Sequence, residues 1–417
     1  GDLPLDVLAV EPNFSICPPS CATTEHLVGL NQGSYASYLG LRASDFRATK
    51  NHAWKIGIDV NRENATASQE FACYYINCKS SGTVASPYYA AFTTPQGQAG
   101  SQIGLYGEDR WQETPYVLWS YGLRYDHSTG YVGGWQISPR IGVNLWDGGK
   151  NVAHVYYGRF YAAPLLEDVR QACVVLSAQQ ACSTTNPVYD LKPESDAYFE
   201  MGDVFSFNPH FTLAANLFEK TVVNVLDTTQ LLNTPIFAVY NNAIGINHGF
   251  ELRLQNQQLG GDQWFLTGTI SESYAACISG SEFLFPPNPV GISCQAQLSL
   301  EDHSQTVDST AGYTHRFGGP HKLWYATLQA NYGSGFPVQF EDANVNLSGT
   351  LPAHTTFDLS AGRDLTAGRT GADQGLGVSL QVLNLLNHQY VIKVANGFNT
   401  TQIANSRSFL LRLTAPF

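Results

Sequence analysis

The feature that most constrains this chain is a period-two alternation of apolar and polar residues, which recurs along most of its length. In one segment the two sets are Val117, Trp119, Tyr121, Leu123 and Tyr125 against Leu118, Ser120, Gly122, Arg124 and Asp126. Successive side chains of a β-strand point to opposite faces, so the pattern predicts strands with one apolar and one mostly polar face. No segment has a sustained helical period, and the sequence therefore predicts an all-β fold.

The composition indicates what the apolar faces meet. Only 13% of the residues are charged and 12% are aromatic, whereas about 25% of a typical soluble domain is charged. No apolar run approaches the about 18 residues that a membrane-spanning helix requires. In a membrane barrel only alternate residues of each strand face the lipid. We therefore expect a transmembrane antiparallel β-barrel. A soluble β-sandwich or propeller is the alternative, although no repeat of about 40 residues is visible.

The spacing of the segments predicts the topology. Counting back from the carboxyl end gives sixteen strands, an even number as bacterial barrels have. They lie near residues 3–11, 35–46, 53–62, 101–112, 116–126, 136–146, 151–162, 196–207, 211–226, 247–256, 262–274, 306–317, 321–332, 354–365, 375–386 and 407–417. Short connections rich in Gly, Pro, Asn and Asp alternate with long ones near 12–34, 63–100, 163–195, 227–246, 275–305, 333–353 and 387–406. Short turns on one side and long loops on the other are typical of outer-membrane barrels, so residues 1–417 are expected to form one barrel domain.

The cysteines support an oxidising compartment. They fall into four local pairs, Cys17 with Cys21, Cys73 with Cys78, Cys173 with Cys182, and Cys277 with Cys294. All four pairs lie in predicted long loops, which favours small loops closed by disulfides. Reduced thiols or a zinc site are the alternatives, although no His/Cys set has the spacing of a zinc finger.

Several function classes find no support in the residues. The formal net charge is −12, and without a cluster of Lys and Arg there is no source for the electrostatic affinity that nucleic-acid binding needs. We find no nucleophile elbow, no His-Glu-x-x-His motif and no Gly-rich phosphate loop. We therefore expect neither enzyme activity nor a cofactor or bound metal.

The final segment, 407–417, points to a family. It places Phe409, Leu411 and Leu413 on one face and ends on Phe417, which resembles the signal by which outer-membrane proteins are recognised for insertion. Together with phrases that precede it in order, it makes residues 35–417 similar to the carboxyl-terminal barrel of TonB-dependent receptors. The phrases are Tyr-Gly-Glu-Asp-Arg-Trp at 106–111, Gly-Leu-Arg-Tyr-Asp at 122–126, Ser-Pro-Arg-Ile-Gly at 138–142, Tyr-Gly-Arg-Phe-Tyr-Ala-Ala-Pro at 157–164, Asn-His-Gly-Phe-Glu at 247–251 and Tyr-Gly-Ser-Gly-Phe-Pro at 332–337.

This resemblance implies a receptor in the bacterial outer membrane that binds a scarce ligand at its extracellular loops and passes it through the barrel lumen. An inner-membrane energy complex would act on a plug domain. Family members carry such a plug and 22 strands, and no plug is seen before residue 35. The chain is expected to be either the last sixteen strands of a longer receptor or a shortened, plugless relative. A passive porin-like channel, or a surface scaffold that binds a partner protein through its loops, are the alternative functions.

Alternation also selects candidate site residues. It places five charged side chains on the inward face: Arg124, Arg140, Glu251, Arg253 and Arg412. An Arg on the lipid side near mid-membrane would cost about 2 to 4 kcal/mol, which favours the inward placement. Contact with ligand or plug is one interpretation of these residues, and an interior salt-bridge ladder is the other. Trp135, beside a short external loop, is the aromatic candidate for ligand contact, because the other tryptophans are expected in interfacial girdles.

Overall fold

The structure of the chain is a computed structural model. It describes residues 7–11, 26–74, 79–80, 83–84, 88–93, 98–130, 132–164, 182–183, 186–187, 192–230, 237–257, 261–276, 298–301, 304–318, 323–342, 345–364, 376–393 and 401–415. In this part of the chain the regular elements are all strands, which confirms the all-β prediction. No helix among these residues is long and apolar enough to cross a bilayer.

Twenty-six strands follow one another along the chain. They are β1 (Val7–Glu11), β2 (His26–Ala48), β3 (His52–Tyr74), β4 (Lys79–Ser80), β5 (Thr83–Val84), β6 (Tyr88–Thr93), β7 (Gln98–Thr114), β8 (Val117–Thr129), β9 (Gly134–Trp146), β10 (Asn151–Ala162), β11 (Cys182–Ser183), β12 (Asn186–Pro187), β13 (Glu194–Asn208), β14 (Phe211–Gln230), β15 (Phe237–Gln257), β16 (Gln263–Ala276), β17 (Leu298–Leu300), β18 (Val307–Phe317), β19 (Trp324–Gly333), β20 (Pro337–Asp342), β21 (Val345–Thr350), β22 (His354–Asp364), β23 (Gly377–Leu383), β24 (Val391–Lys393), β25 (Gln402–Ile403) and β26 (Ser408–Thr414).

One antiparallel sheet of 18 strands organises the molecule. Fifteen of its strands form a meander, in which each strand pairs with the next long strand along the chain from β2 to β26. The short strands β6 and β17 pair with the far ends of β3 and β16. β1 pairs antiparallel with β2 over His26–Leu30. The remaining short strands form separate two-stranded hairpins.

Each of the sixteen predicted strands has a counterpart in this sheet, but several predicted loops are wrong. β2 begins at His26, β3 continues to Tyr74 and β15 begins at Phe237, all inside segments expected to be loops. The alternation of apolar and polar residues marks only strand segments whose two faces meet different surroundings. The pairing of β2 with β3 continues beyond the segments that carry this pattern.

Short turns define one end of the sheet, which we call the short-turn end; the opposite end is the long-loop end. Asp147 illustrates how the sequence builds a short turn. Its Oδ1 accepts the backbone N–H groups of Gly149, Lys150 and Asn151 at 3.1, 2.9 and 2.9 Å, and Gly148 has a φ of 93°. These backbone donors, the one of Asn151 foremost, hold the pKa of Asp147 below its usual value.

The two faces of the sheet differ as the alternation predicts. One, the apolar face, carries exposed side chains such as Leu123, Ile141 and Leu266. The other, the polar face, carries residues such as Arg124 and Ser138. Within the described residues only six hydrophobic side chains are buried, four of them alanines. A sheet that exposes its large apolar side chains and encloses few is suited to an apolar surrounding medium.

The meander has two edges. β26 pairs on one side with β23, and β2 beyond Leu30 pairs on one side with β3. Among the described residues neither edge has a second partner, and apolar side chains there are highly exposed, Leu39 at 75% and Leu413 at 74%. β2 and β26 are the first and the fifteenth strand of this antiparallel meander, so they run in the same direction.

The four cysteine pairs cannot be compared with the prediction. Their side chains lie outside the described residues, as does the terminal Phe417. The disulfides stay a prediction.

Candidate functional site

Charged and aromatic side chains of neighbouring strands come together on the polar face. The first group surrounds Arg124 on β8, whose Nε donates to Asp126 at 2.8 Å and whose Nη1 donates to Asp59 on β3 at 2.9 Å. Asp59 also accepts a hydrogen bond of 2.6 Å from Arg42 on β2. To reach Asp59, the guanidinium crosses β7 at Gly104, where a Cβ would lie 2.8 Å from Arg124 Cζ.

This group is an ion-pair ladder, one of the two interpretations that the sequence left open for Arg124. Cations and carboxylates alternate across four strands, so each charge is compensated by its neighbours. The side chains of Arg124 and Asp126 are only 24% and 14% exposed, which strengthens their attraction relative to a fully solvated pair.

A second group surrounds Glu200 on β13. Its Oε1 lies 2.8 Å from His154 Nε2 on β10, and its Oε2 accepts a hydrogen bond from the Tyr198 hydroxyl. The Tyr198 ring lies 6.3 Å from that of Tyr156, with the two planes tilted by 52°. One carboxylate thus orients an imidazole and a phenol beside a second phenol.

Glycines make room for these rings. Tyr156 lies over Gly158 of its own strand, where a Cβ would be 2.5 Å from the Tyr156 hydroxyl. At Gly202 on β13, a Cβ would overlap with Asn216 Oδ1 and lie 2.7 Å from His154 Cε1. The polar face is therefore covered by side chains that lie along the sheet as well as by ones that project from it.

Arg140 on β9 borders the second group and is available for binding. Its guanidinium lies 5.0 Å from the centre of the Phe160 ring, and the residues opposite it on β8 and β10 are Gly122 and Gly158. Within the described part of the chain Arg140 forms no salt bridge, and its Nε is buried without a hydrogen-bond partner. A buried donor of this kind costs about 1 to 3 kcal/mol unless a partner satisfies it.

Glu251 and Arg253 lie farther around the same face, on β15. Both are exposed, and no ion pair joins either of them to a described residue. Glu251 is opposite Asn216, whose Oδ1 is buried without a partner. Three strands, β10, β13 and β14, separate Glu251 from Arg140. The two residues therefore lie on the same polar face but are not in contact.

The structure does not bring Trp135 to these groups. It is the second residue of β9 and lies on the apolar face, in line with Ile137 and Ile141, with 66% of its surface exposed. Arg412 lies on the polar face of β26, at the edge of the sheet. The structure leaves the role predicted for Trp135 untested.

Sequence reasoning missed a column of rings at the long-loop end. His354, the first residue of β22, stacks on Tyr390 with 3.6 Å between ring centres, and Phe336 and His388 flank the pair. Burial, together with the charge of Asp308, raises the pKa of the Tyr390 phenol. Phe336 comes from one connection, His388 and Tyr390 come from another, and His354 begins a strand, so no local pattern could have grouped them.

The arrangement is suited to non-covalent binding. The polar face offers a free guanidinium, oriented phenols and exposed charges of both signs, which recognise polar ligands by hydrogen bonds and ion pairs. Within the part of the chain that the structure describes, no three His, Cys, Asp or Glu side chains gather as a metal site.

Comparison with known proteins agrees with this geometry. Residues 21–385 match the model of the family described as "TonB dependent receptor-like, beta-barrel". No curated protein matches the sequence.

Solved structures show the same fold. The copper transporter OprC is 13% identical with a TM-score of 0.64, the ferripyoverdine receptor of Pseudomonas aeruginosa 12% with 0.61, and the FrpB iron transporter from Neisseria meningitidis 15% with 0.60. These alignments cover 92%, 97% and 93% of this chain but 60%, 51% and 56% of the respective neighbours. The chain thus spans about half to three fifths of their length.

Proposed function

Because the chain belongs to the TonB-dependent receptor family, we propose that it binds a scarce ligand at extracellular loops and passes it through a barrel lumen. The family is located in the bacterial outer membrane, which orients the sheet. The apolar face meets lipid and the polar face lines the lumen. The short-turn end is periplasmic and the long-loop end extracellular.

One observation supports the proposal: a family match over 365 of the 417 residues coincides with a sheet that has one apolar and one ionic face. A lumen lined by ladders and oriented phenols gives a polar solute a route across the membrane. Arg140 has no carboxylate partner among the described residues, which fits a residue that binds a solute. A scaffold that acts through its loops alone would have no use for such a residue.

We assign different roles to the predicted residues. Arg140, Glu251 and Arg253 contact the ligand or a plug domain, because their charges have no partner among the described residues. Arg124 stabilises the wall through its ladder. Trp135, which lies on the apolar face, contacts the ligand only at the level of the extracellular loops.

For the ligand we propose a metal chelate. The neighbours are named as transporters of copper or iron and as a receptor for ferripyoverdine. An anionic chelate would pair with the guanidinium of Arg140 and remain attracted to a polar face that also carries Arg253. An inner-membrane energy complex would drive transport by acting on a plug.

The test is accumulation of radioactive iron, supplied as its pyoverdine or citrate chelate, and of radioactive copper. Cells that carry the full-length receptor are compared with cells from which its gene is deleted, before and after a protonophore collapses the proton-motive force. We expect receptor-dependent accumulation that stops when the cells lose energy. Arg140→Gln should reduce it, and Arg412→Gln at the sheet edge is the matched control.

The alternatives give different results. Accumulation that continues in de-energised cells would identify a passive channel. Binding to the cell surface that never leads to accumulation would identify a scaffold. Either result contradicts the proposed uptake.

A further inference from the structure

The lipid side of β2, β3, β7 and β8 carries a polar patch at its periplasmic end. Register places Arg47, Trp54, Asp109 and Tyr121 in one row across the four strands. All four are on the face that meets lipid. Charged groups are tolerated there only near the level of the headgroups, where the cost of exposure to lipid falls to about 0 to 1 kcal/mol.

The patch is held together by Asp109. Its Oδ2 accepts hydrogen bonds from His52 Nδ1 at 2.7 Å and from the Tyr121 hydroxyl at 2.8 Å. His52 is also stacked on Trp111, with parallel rings 6.0 Å apart. A carboxylate only accepts, so Nδ1 of His52 carries a hydrogen and Nε2 is the atom left to interact with the surroundings.

Positive charge lies beside it. Arg47 is 75% exposed and uses only its Nε, which donates to Asp45 at 3.0 Å. Lys50 follows in the turn between β2 and β3 and is exposed. Since Asp45 already pairs with Arg47 and Asp109 already accepts two donors, the terminal nitrogens of Arg47 and the ammonium of Lys50 can bind an added anion.

Directly above the patch, toward the middle of the membrane, the apolar face has a groove. It has a volume of about 690 Å³ and is lined by Ile56, Ile58, Leu105, Leu123 and Tyr125, with Asp45 at its β2 end. Its floor is Gly107, which lies between Ile56 and Leu123 in the same row. A Cβ on Gly107 would meet only Ile56 Cγ2, at 3.7 Å, so the space above this glycine is open.

We propose that this is a binding site for one phospholipid of the periplasmic leaflet. An acyl chain lies in the groove over Gly107, and the phosphate lies between Arg47 and Lys50. Apart from Asp45, whose carboxylate pairs with Arg47, the groove is apolar, and it continues into a cluster of cationic and hydrogen-bonding groups at headgroup level. An apolar groove next to cationic groups matches the acyl chain and the phosphate of a single lipid molecule. The inference depends on the location in the outer membrane and is independent of the transported ligand.

The test is native mass spectrometry of the full chain, purified in detergent and titrated with phosphatidylglycerol. Gly107→Leu fills the groove and Arg47→Gln removes the phosphate-binding charge. We expect the wild type to retain one tightly bound lipid, Arg47→Gln to bind it about tenfold more weakly, and Gly107→Leu to lose it at concentrations that saturate the wild type.

Two variants on other lipid-facing strands serve as controls. At Gly268 on β16 a Cβ would also make only ordinary contacts, 3.7 Å or longer, so Gly268→Leu adds the same side chain outside the groove. Arg363→Gln removes another outward arginine near the periplasmic end, which lies 5.2 Å from the centre of the Trp324 ring. Both should bind lipid as the wild type does. Equal binding by all five proteins, or a groove occupied by a second copy of the chain in place of lipid, overturns the proposal.

Discussion

Replacing Arg124 by Gln tests the ladder of the polar face. The substitution removes two charge-assisted hydrogen bonds, of 2.8 Å to Asp126 and 2.9 Å to Asp59, and leaves two carboxylates facing each other across β7. A charge-assisted hydrogen bond contributes about 1.5 to 3 kcal/mol. Because the three side chains are 14 to 24% exposed, water at the polar face screens part of the effect, and we expect a loss of about 2 to 3 kcal/mol in the free energy of unfolding.

The assay is urea unfolding of the barrel in detergent, followed by tryptophan fluorescence. The matched control is Arg140→Gln, on the next strand and the same face, which breaks no ion pair among the described residues and should cost less than about 1 kcal/mol. The double variant with Asp126→Asn should lose less than the sum of the two single variants, because both remove the same contact. Equal losses for Arg124→Gln and Arg140→Gln would refute the assignment of separate roles.

Three further predictions concern the faces and turns of the sheet. Leu411→Arg, on the lipid face of β26, should destabilise the barrel by about 2 to 4 kcal/mol, whereas Leu410→Arg on the opposite face should have little effect in the same unfolding assay. Gly202→Ala should lower the free energy of unfolding by about 1 to 3 kcal/mol, because the added Cβ overlaps with Asn216 and must displace it. Unchanged stability would mean that the side chains of the polar face are loosely packed. Asp147 has a depressed pKa, so its cap should be intact at neutral pH and lost as the pH falls below about 4. Protection of the turn amides, taken relative to their intrinsic exchange rate at each pH, should fall in acid for the wild type and stay constant for Asp147→Asn.

The strands that the sequence predicts correctly are those in which one face contacts lipid. Within the membrane one face of each strand must be apolar, so alternation marks β8 and β26 correctly and gives the register of their faces. Beyond the membrane no such requirement exists. The far half of β3, up to Tyr74, therefore has no pattern that distinguishes it from a loop.

The sequence predicts on which face of the sheet the candidate site residues lie, but it does not predict which residues they contact. Alternation assigned Arg124 and Arg140 to the polar face, where the structure has them. It had no means to show that Asp59, 65 positions away from Arg124, completes its ladder, or that Arg140 forms no ion pair with a described carboxylate. Those contacts depend on which strands are neighbours and on glycines such as Gly104 that let a side chain cross a strand.

The common direction of β2 and β26 restricts how the wall can be completed. In an antiparallel ring, orientation reverses at every step around the circumference, so two strands that point the same way are joined only through an odd number of others. β1, antiparallel to β2, supplies one. In such a ring, any strands beyond it would be added two at a time, as whole hairpins, which are the unit from which the rest of the sheet is made.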